Sequence, residues 1–167
     1  IGFSFKDIIH ELFESAAFAA AMLLVTGVLL FLSDRVKHPV RTEAEMNLLD
    51  SIVIGAIQGI AVLPGISRSG STITFGLFRG LEGETAARFS FLLSIPAIAG
   101  AAVLEARHAD AVPPGEAAVY ASGAVAAGVV AYMTLKFLFS VVRKRNLRYF
   151  AYYCWIVGAA VLALHLR

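Results

Sequence analysis

Charge is what this 167-residue chain has least of. Asp, Glu, Lys and Arg make up 16% of it, against roughly 25% in ordinary soluble domains. Apolar residues fill 59% and the mean hydropathy is +0.78. Such a composition excludes a soluble globular domain and predicts an all-α integral membrane protein. The net charge of +2 is too small for a nucleic-acid surface, and the basic residues gather at the ends of apolar runs, as topology signals do. Cysteine is down to one. Cys154 lies in an apolar run, has no partner for an intrachain disulfide, and reads as a small buried hydrophobe.

Apolar runs are plentiful, but one of them is too short. Residues 51–63 are 13 in number, and a helix of that length reaches only ~20 Å against the ~30 Å of a hydrocarbon core. The run ends in the polar, Gly-rich stretch Pro64-Gly65-Ile66-Ser67-Arg68-Ser69-Gly70-Ser71-Thr72, and a second short run covers 73–78. Neither flank spans a bilayer alone. The reading is a re-entrant helix–loop–helix hairpin over 51–79, with Asp50 or Ser51 as its N-cap. Irregular backbone at that depth is tolerated only where it is buried in protein or lines a wet cavity.

Four further runs are expected to cross, near 13–33, 86–104, 117–142 and 149–166, within one membrane domain covering 1–167. Residues 1–14 form an amphipathic lead-in, on which Glu11 and Glu14 read as a solvated face. Pro96 predicts a bend in the second span. Ala124 with Gly128, and Gly55 with Gly59, have the small-xxx-small spacing that permits close helix contact. Tyr149, Tyr152, Tyr153 and Trp155 suggest an aromatic belt.

Loop charge sets the orientation. Arg35, Lys37 and Arg41 lie in the loop over 34–45, and Arg143, Lys144, Arg145 and Arg148 lie over 143–148; the loop over 105–116 has only Arg107. The first two loops are therefore cytoplasmic and the third faces out. The assignment is consistent only if 51–79 does not cross, a second argument for the re-entrant reading.

Most ionisable residues have an ordinary place. Lys136 can snorkel from its helix end, Arg79 and Arg88 flank the polar link over 80–85, and His38, His108 and His165 are in loops or at the end. Arg68 alone is expected at depth, where a charge costs ~2.5–3.5 kcal/mol even on the mildest scale and calls for a partner or a ligand. One reading makes it a clamp on carbonyls of a broken helix. The other makes it an anion site. Ser67, Ser69, Ser71 and Thr72 offer hydroxyls, Gly65 and Gly70 allow close backbone approach, and the second half-helix points its N-terminus inward. A guanidinium grips two phosphate oxygens at once. Arg68 and Ser67 are the candidate catalytic pair; Gly65, Ser69, Gly70, Ser71 and Thr72 are the candidate phosphate binders. Gln58 is left open between pocket lining and interhelical glue.

The stretch over 64–72 resembles the P-G-x-S-R-S-x-x-T signature of the undecaprenyl-diphosphate phosphatases of the BacA/UppP type. Phe5-Lys6-Asp7 with Glu11 ahead, and Leu81-Glu82 with Ala86-Ala87-Arg88-Phe89-Ser90 behind, resemble the same family. The resemblance runs over the whole chain but corresponds to the C-terminal part of the family. It implies one half of an inverted-repeat architecture in a multi-pass protein of the bacterial inner membrane. The other half would carry a hairpin with E-x-x-x-E and P-x-S-S-x-G-H, neither of which occurs here. The implied activity is hydrolysis of undecaprenyl diphosphate in cell-wall lipid-carrier recycling, with a divalent metal (Mg or Ca) held by ligands outside this chain. The implied partners are the polyprenyl diphosphate lipid, the bilayer, and the missing N-terminal repeat or a second copy; nucleic acid is not among them. The expectation is a fragment, since the sequence opens on Ile1 rather than Met. The competing readings are half of a lipid-phosphate or anion transporter or flippase, and a purely structural helix-packing module.

Overall fold

The computed structural model describes residues 13–36, 39–107 and 115–165. Residues 1–12 of the amphipathic lead-in over 1–14, Glu11 among them, and His38, His108, Pro113 and Pro114, lie outside the described residues. Among the described residues six α-helices run in order from residue 16: α1 (Ala16–Ser33), α2 (Leu48–Ile60), α3 (Arg68–Phe78), α4 (Gly83–Ala106), α5 (Ala117–Arg143) and α6 (Arg148–His165). Among the described residues no strand forms, and the sole β-type pairing is an isolated parallel bridge between Arg41 and Leu81. Among the described residues three helical stretches, Ala16–Ser33, Gly83–Glu105 and Ala117–Arg143, are long and apolar enough to cross a membrane. The all-helical expectation holds.

Side chains satisfy orphan amides at the starts of α1 and α2, whereas α4 and α5 begin without a side-chain cap. Ser15 caps α1, accepting from the Phe18 amide at 3.2 Å. The cap of α2 is Asn47, not Asp50 or Ser51 as the sequence suggested. Asn47 Oδ1 accepts from the Asp50 amide and Asp50 Oδ2 accepts from the Asn47 amide, both at 3.0 Å. That reciprocal box satisfies two donors at once, which moves the helix start ahead of Asp50. α4 runs unbroken through Pro96.

α6 lies antiparallel along α1, and small residues let them meet. Gly27 leaves room for Trp155, whose indole donates to the Leu24 carbonyl at 3.2 Å, and Gly158 faces Ala20 and Leu24. At the turn end, the Asp34 carboxylate accepts from the Leu147 and Arg148 amides and so caps α6. The α3 helix packs among α1, α2 and α4, with Ile54, Ile73, Leu77 and Leu81 buried at the centre. The expected tight contacts at Gly55, Gly59 and Gly128 do not form: a Cβ built on any of them meets nothing within 4 Å. α2 closes on its neighbours through the buried Ile54 instead, and α5 packs against α4.

The α2–α3 hairpin begins and ends at one point. The Arg41 amide donates to the Gly80 carbonyl at 3.0 Å, and the Glu82 amide donates back to the Arg41 carbonyl at 2.9 Å. Side chains reinforce this closure. Asp50, fully buried, takes Arg41 Nη2 on one oxygen and Arg79 Nε on the other, each at 2.7 Å, while Arg41 Nη1 reaches the Arg79 carbonyl.

Candidate functional site

The site is the far end of that hairpin. Between α2 and α3 the chain turns through Gly65, whose φ of +87° favours glycine. A Cβ there would also stand 2.0 Å from the Ala19 carbonyl oxygen, so the loop is pressed onto the backbone of α1. Thr26 of α1, 1% exposed, pins it from the side. Its hydroxyl donates to the Gly65 carbonyl and accepts from the Ser67 amide, both at 3.1 Å. The loop tip is thus held at two points by one residue of α1, which lies 39 positions before Gly65 and 41 before Ser67.

Ser67 then starts α3 as its N-cap, accepting from the Gly70 amide at 3.1 Å, and its carbonyl takes the Ser71 amide. Among the described residues the amides of Arg68 and Ser69 have no acceptor. They are two open donors at the positive end of a helix dipole. Beside them the Arg68 side chain enters a groove of about 710 Å³ between α4 and α5. Gln58, Ser69, Ser90 and Ser94 share the groove as polar lining, and Ile98, Val130 and Leu138 belong to its apolar walls. No hydrogen bond or ion pair ties the Arg68 guanidinium to any described residue. The carbonyl-clamp reading therefore has no contact behind it. A fixed cation beside open amides and hydroxyls is an arrangement for an anion.

The residues singled out in the sequence part company here. Arg68, Ser69 and Gln58 meet in the groove, and Gln58 also donates to the Leu93 carbonyl at 3.2 Å, so it is both lining and glue. Ser67 and Gly70 are occupied with each other in the cap. Ser71 and Thr72 are 2% and 1% exposed and lie outside the groove. The Thr72 hydroxyl is taken up by the Arg68 and Ser69 carbonyls and the Ser90 hydroxyl, while the buried Ser71 hydroxyl has no partner. Gly65 makes its close approach to α1, as above. Ser90, Ser94 and Thr26 were not singled out as site residues. The first two sit four apart on one helical face, a weak signal; a lone Thr in an uncharged span gives none.

Charge at the hairpin base is also arranged. The Arg41 hydrogen bonds, followed by the Asn47 amide and Arg79, outweigh burial and hold the Asp50 carboxyl down at about 2. Glu84 lies at 2.6 Å from Arg143 and 2.7 Å from Arg88, tying the start of α4 to the end of α5.

The family described as bacitracin resistance protein BacA matches residues 1–160. The chain belongs to that family. Its relatives include a protein of Syntrophotalea carbinolica named undecaprenyl-diphosphatase, 43% identical over 98% of this chain and 62% of the relative. A Methanothermobacter thermautotrophicus protein of the same name is 45% identical over 97% of this chain and 91% of the relative. A third, from Desulfatibacillum aliphaticivorans, is 44% identical over 97% and 59%. The chain thus spans about three fifths of the first and third of these BacA relatives. Among the described residues of this BacA chain no three His, Cys, Asp or Glu side chains come together. The groove offers a guanidinium, hydroxyls and a carboxamide, a donor set that does not fit a divalent cation.

Proposed function

We propose that this chain supplies the phosphate-gripping part of an undecaprenyl-diphosphatase, which cleaves undecaprenyl diphosphate to the monophosphate and phosphate and so recycles the lipid carrier. One observation carries the reading: an unpaired Arg68 guanidinium beside the open Arg68 and Ser69 amides, in a groove with apolar walls. The name shared by the relatives supplies the reaction, and it favours hydrolysis over the transporter or flippase reading. Phosphoanhydride hydrolysis is an in-line displacement with charge spread over the phosphoryl oxygens. Arg68 would take two of those oxygens, and the α3 amides with Ser69 would take charge as it develops.

The finer architecture belongs to the same proposal. The α2–α3 hairpin is re-entrant from the cytoplasmic side, because its two ends are bridged at Arg41 and Leu81 and each arm is too short to cross. α6 is a fourth span, packed antiparallel on α1. The protein is multi-pass in the inner membrane. An inverted-repeat partner segment, or a second copy, supplies the remaining groups, among them the carboxylates for any divalent metal. The test is phosphate release from undecaprenyl diphosphate by the full-length protein, with and without Arg68→Ala. Loss of release in a variant that still melts like the parent supports the reading. Unchanged release per folded molecule removes Arg68 from the chemistry.

A further inference from the structure

A second cleft opens away from Arg68. α5 and α6 are joined by a turn of four residues, 144–147, yet the two helices barely touch. Between them lies a wedge of about 560 Å³. Its lining is graded along the helices. Phe137 and Tyr153 lie farthest from the turn, Val141 and Phe150 nearer, and Lys144 and Asn146 at the turn itself. Phe137 and Phe150 face each other across the wedge with ring centres 6.5 Å apart.

The cations of this turn differ in how they are occupied. Arg143 is paired with Glu84, Arg145 donates to the Val36 carbonyl, and Arg148 stacks on the Tyr149 ring. Lys144 is exposed and has no partner among the described residues, and the Asn146 side chain has none either. An uncompensated ammonium and a carboxamide therefore stand at the rim of an apolar wedge.

We propose that this wedge is a binding site for one anionic glycerophospholipid, separate from the Arg68 groove and independent of its chemistry. The acyl chain lies between Phe137, Val141 and Phe150, and the phosphodiester meets Lys144 and Asn146. An apolar wedge opening on the bilayer admits an acyl chain, and the free cation selects the headgroup. A phosphatidylcholine carries its own cation to the same place and gains less. The basic turn also sits where the cytoplasmic leaflet presents its negative surface.

The test is native mass spectrometry of the full chain released from detergent after titration with phosphatidylglycerol or phosphatidylcholine. The unaltered protein should retain phosphatidylglycerol preferentially. Lys144→Gln should lower that retention about fivefold, leave phosphatidylcholine unchanged, and be rescued by Lys144→Arg. Lys144 is exposed, so both variants should melt like the parent. Equal retention of the two lipids, or phosphatidylglycerol retention unmoved by Lys144→Gln, overturns the proposal. So does a dimeric ion that excludes lipid, which would place a second copy in the wedge. As an independent measurement, a photoreactive phosphatidylglycerol should label peptides covering 137–153; label spread evenly over all helices also overturns it.

Discussion

Thr26 and Ser67 are joined across 41 residues by a single hydrogen bond of 3.1 Å, hydroxyl to amide. The same hydroxyl holds the Gly65 carbonyl. A buried threonine is therefore the only described side chain that bonds the loop tip to α1. Thr26→Val keeps the shape and strands two half-buried backbone groups, each costing about 1 kcal/mol. We expect a lower melting temperature in detergent and faster hydrogen exchange over residues 63–69. Thr26→Ser should restore both. Valine behaving like the parent would mean that packing alone holds the loop.

Gly65→Ala should fail badly. Its Cβ would meet the Ala19 carbonyl at 2.0 Å, and φ is +87°. Gly55→Ala, with open space around it, should be neutral or slightly stabilising, because alanine is the better helix former by about 1 kcal/mol. Expression and melting of the two variants side by side check the contrast. Equal behaviour would show that the loop moves off α1 at little cost.

At the hairpin base, Asp50→Asn leaves Arg41 and Arg79 without their counter-charge. Breaking a fully buried pair costs about 3–5 kcal/mol. Here the arginines keep 28% and 33% of their side chains in water, so a smaller loss of about 2–3 kcal/mol is expected. The pH dependence has a definite sign. Asp50 stands at about 2 in the folded protein against an ordinary 3.8. Its stabilisation is therefore complete above about pH 4 and lost as pH falls through about 2. Melting temperatures from pH 7 to pH 2 should drop more steeply at the acid end for the parent than for Asp50→Asn. Parallel curves would show that Asp50 is not held by its arginines.

Catalysis should rank the groove residues. Arg68→Lys keeps the charge and loses the planar fork, so it should fail nearly as badly as Arg68→Ala, by ~10²–10³ in rate. Ser69→Ala removes one neutral hydroxyl and should cost ~1 kcal/mol, about fivefold. Phosphate release per folded molecule measures all three. A fully active lysine variant would mean a point charge suffices.

Topology has a direct readout. Cysteines placed at Glu45 and Glu82, both near the Arg41–Leu81 bridge, should react with a membrane-impermeant thiol reagent from the same, cytoplasmic, side. Opposite-side labelling would make residues 51–79 a crossing segment.

What the sequence made legible was what depends on local spacing. The short run over 51–63, the Gly-rich loop and a lone arginine among hydroxyls can all be read without a fold. The roles of Thr26, Asp50 and the glycines could not. Thr26 acts 41 residues from its partner, Asp50 is bracketed by arginines at 41 and 79, and Gly65 is needed because Ala19 passes behind it. Such contacts follow from how helices come together. The Gly55–Gly59 pair shows the converse: a spacing that permits close packing does not bring a neighbour to use it.

The bridge between Arg41 and Leu81 has one more consequence. Because the chain leaves for α2 and returns from α3 at a single point, the hairpin is a closed excursion. Its two ends stay together whatever lies between them, but its tip is not free. Gly65 and Ser67 are tied to Thr26, so a change in the length of either arm has to keep that tie or move α1.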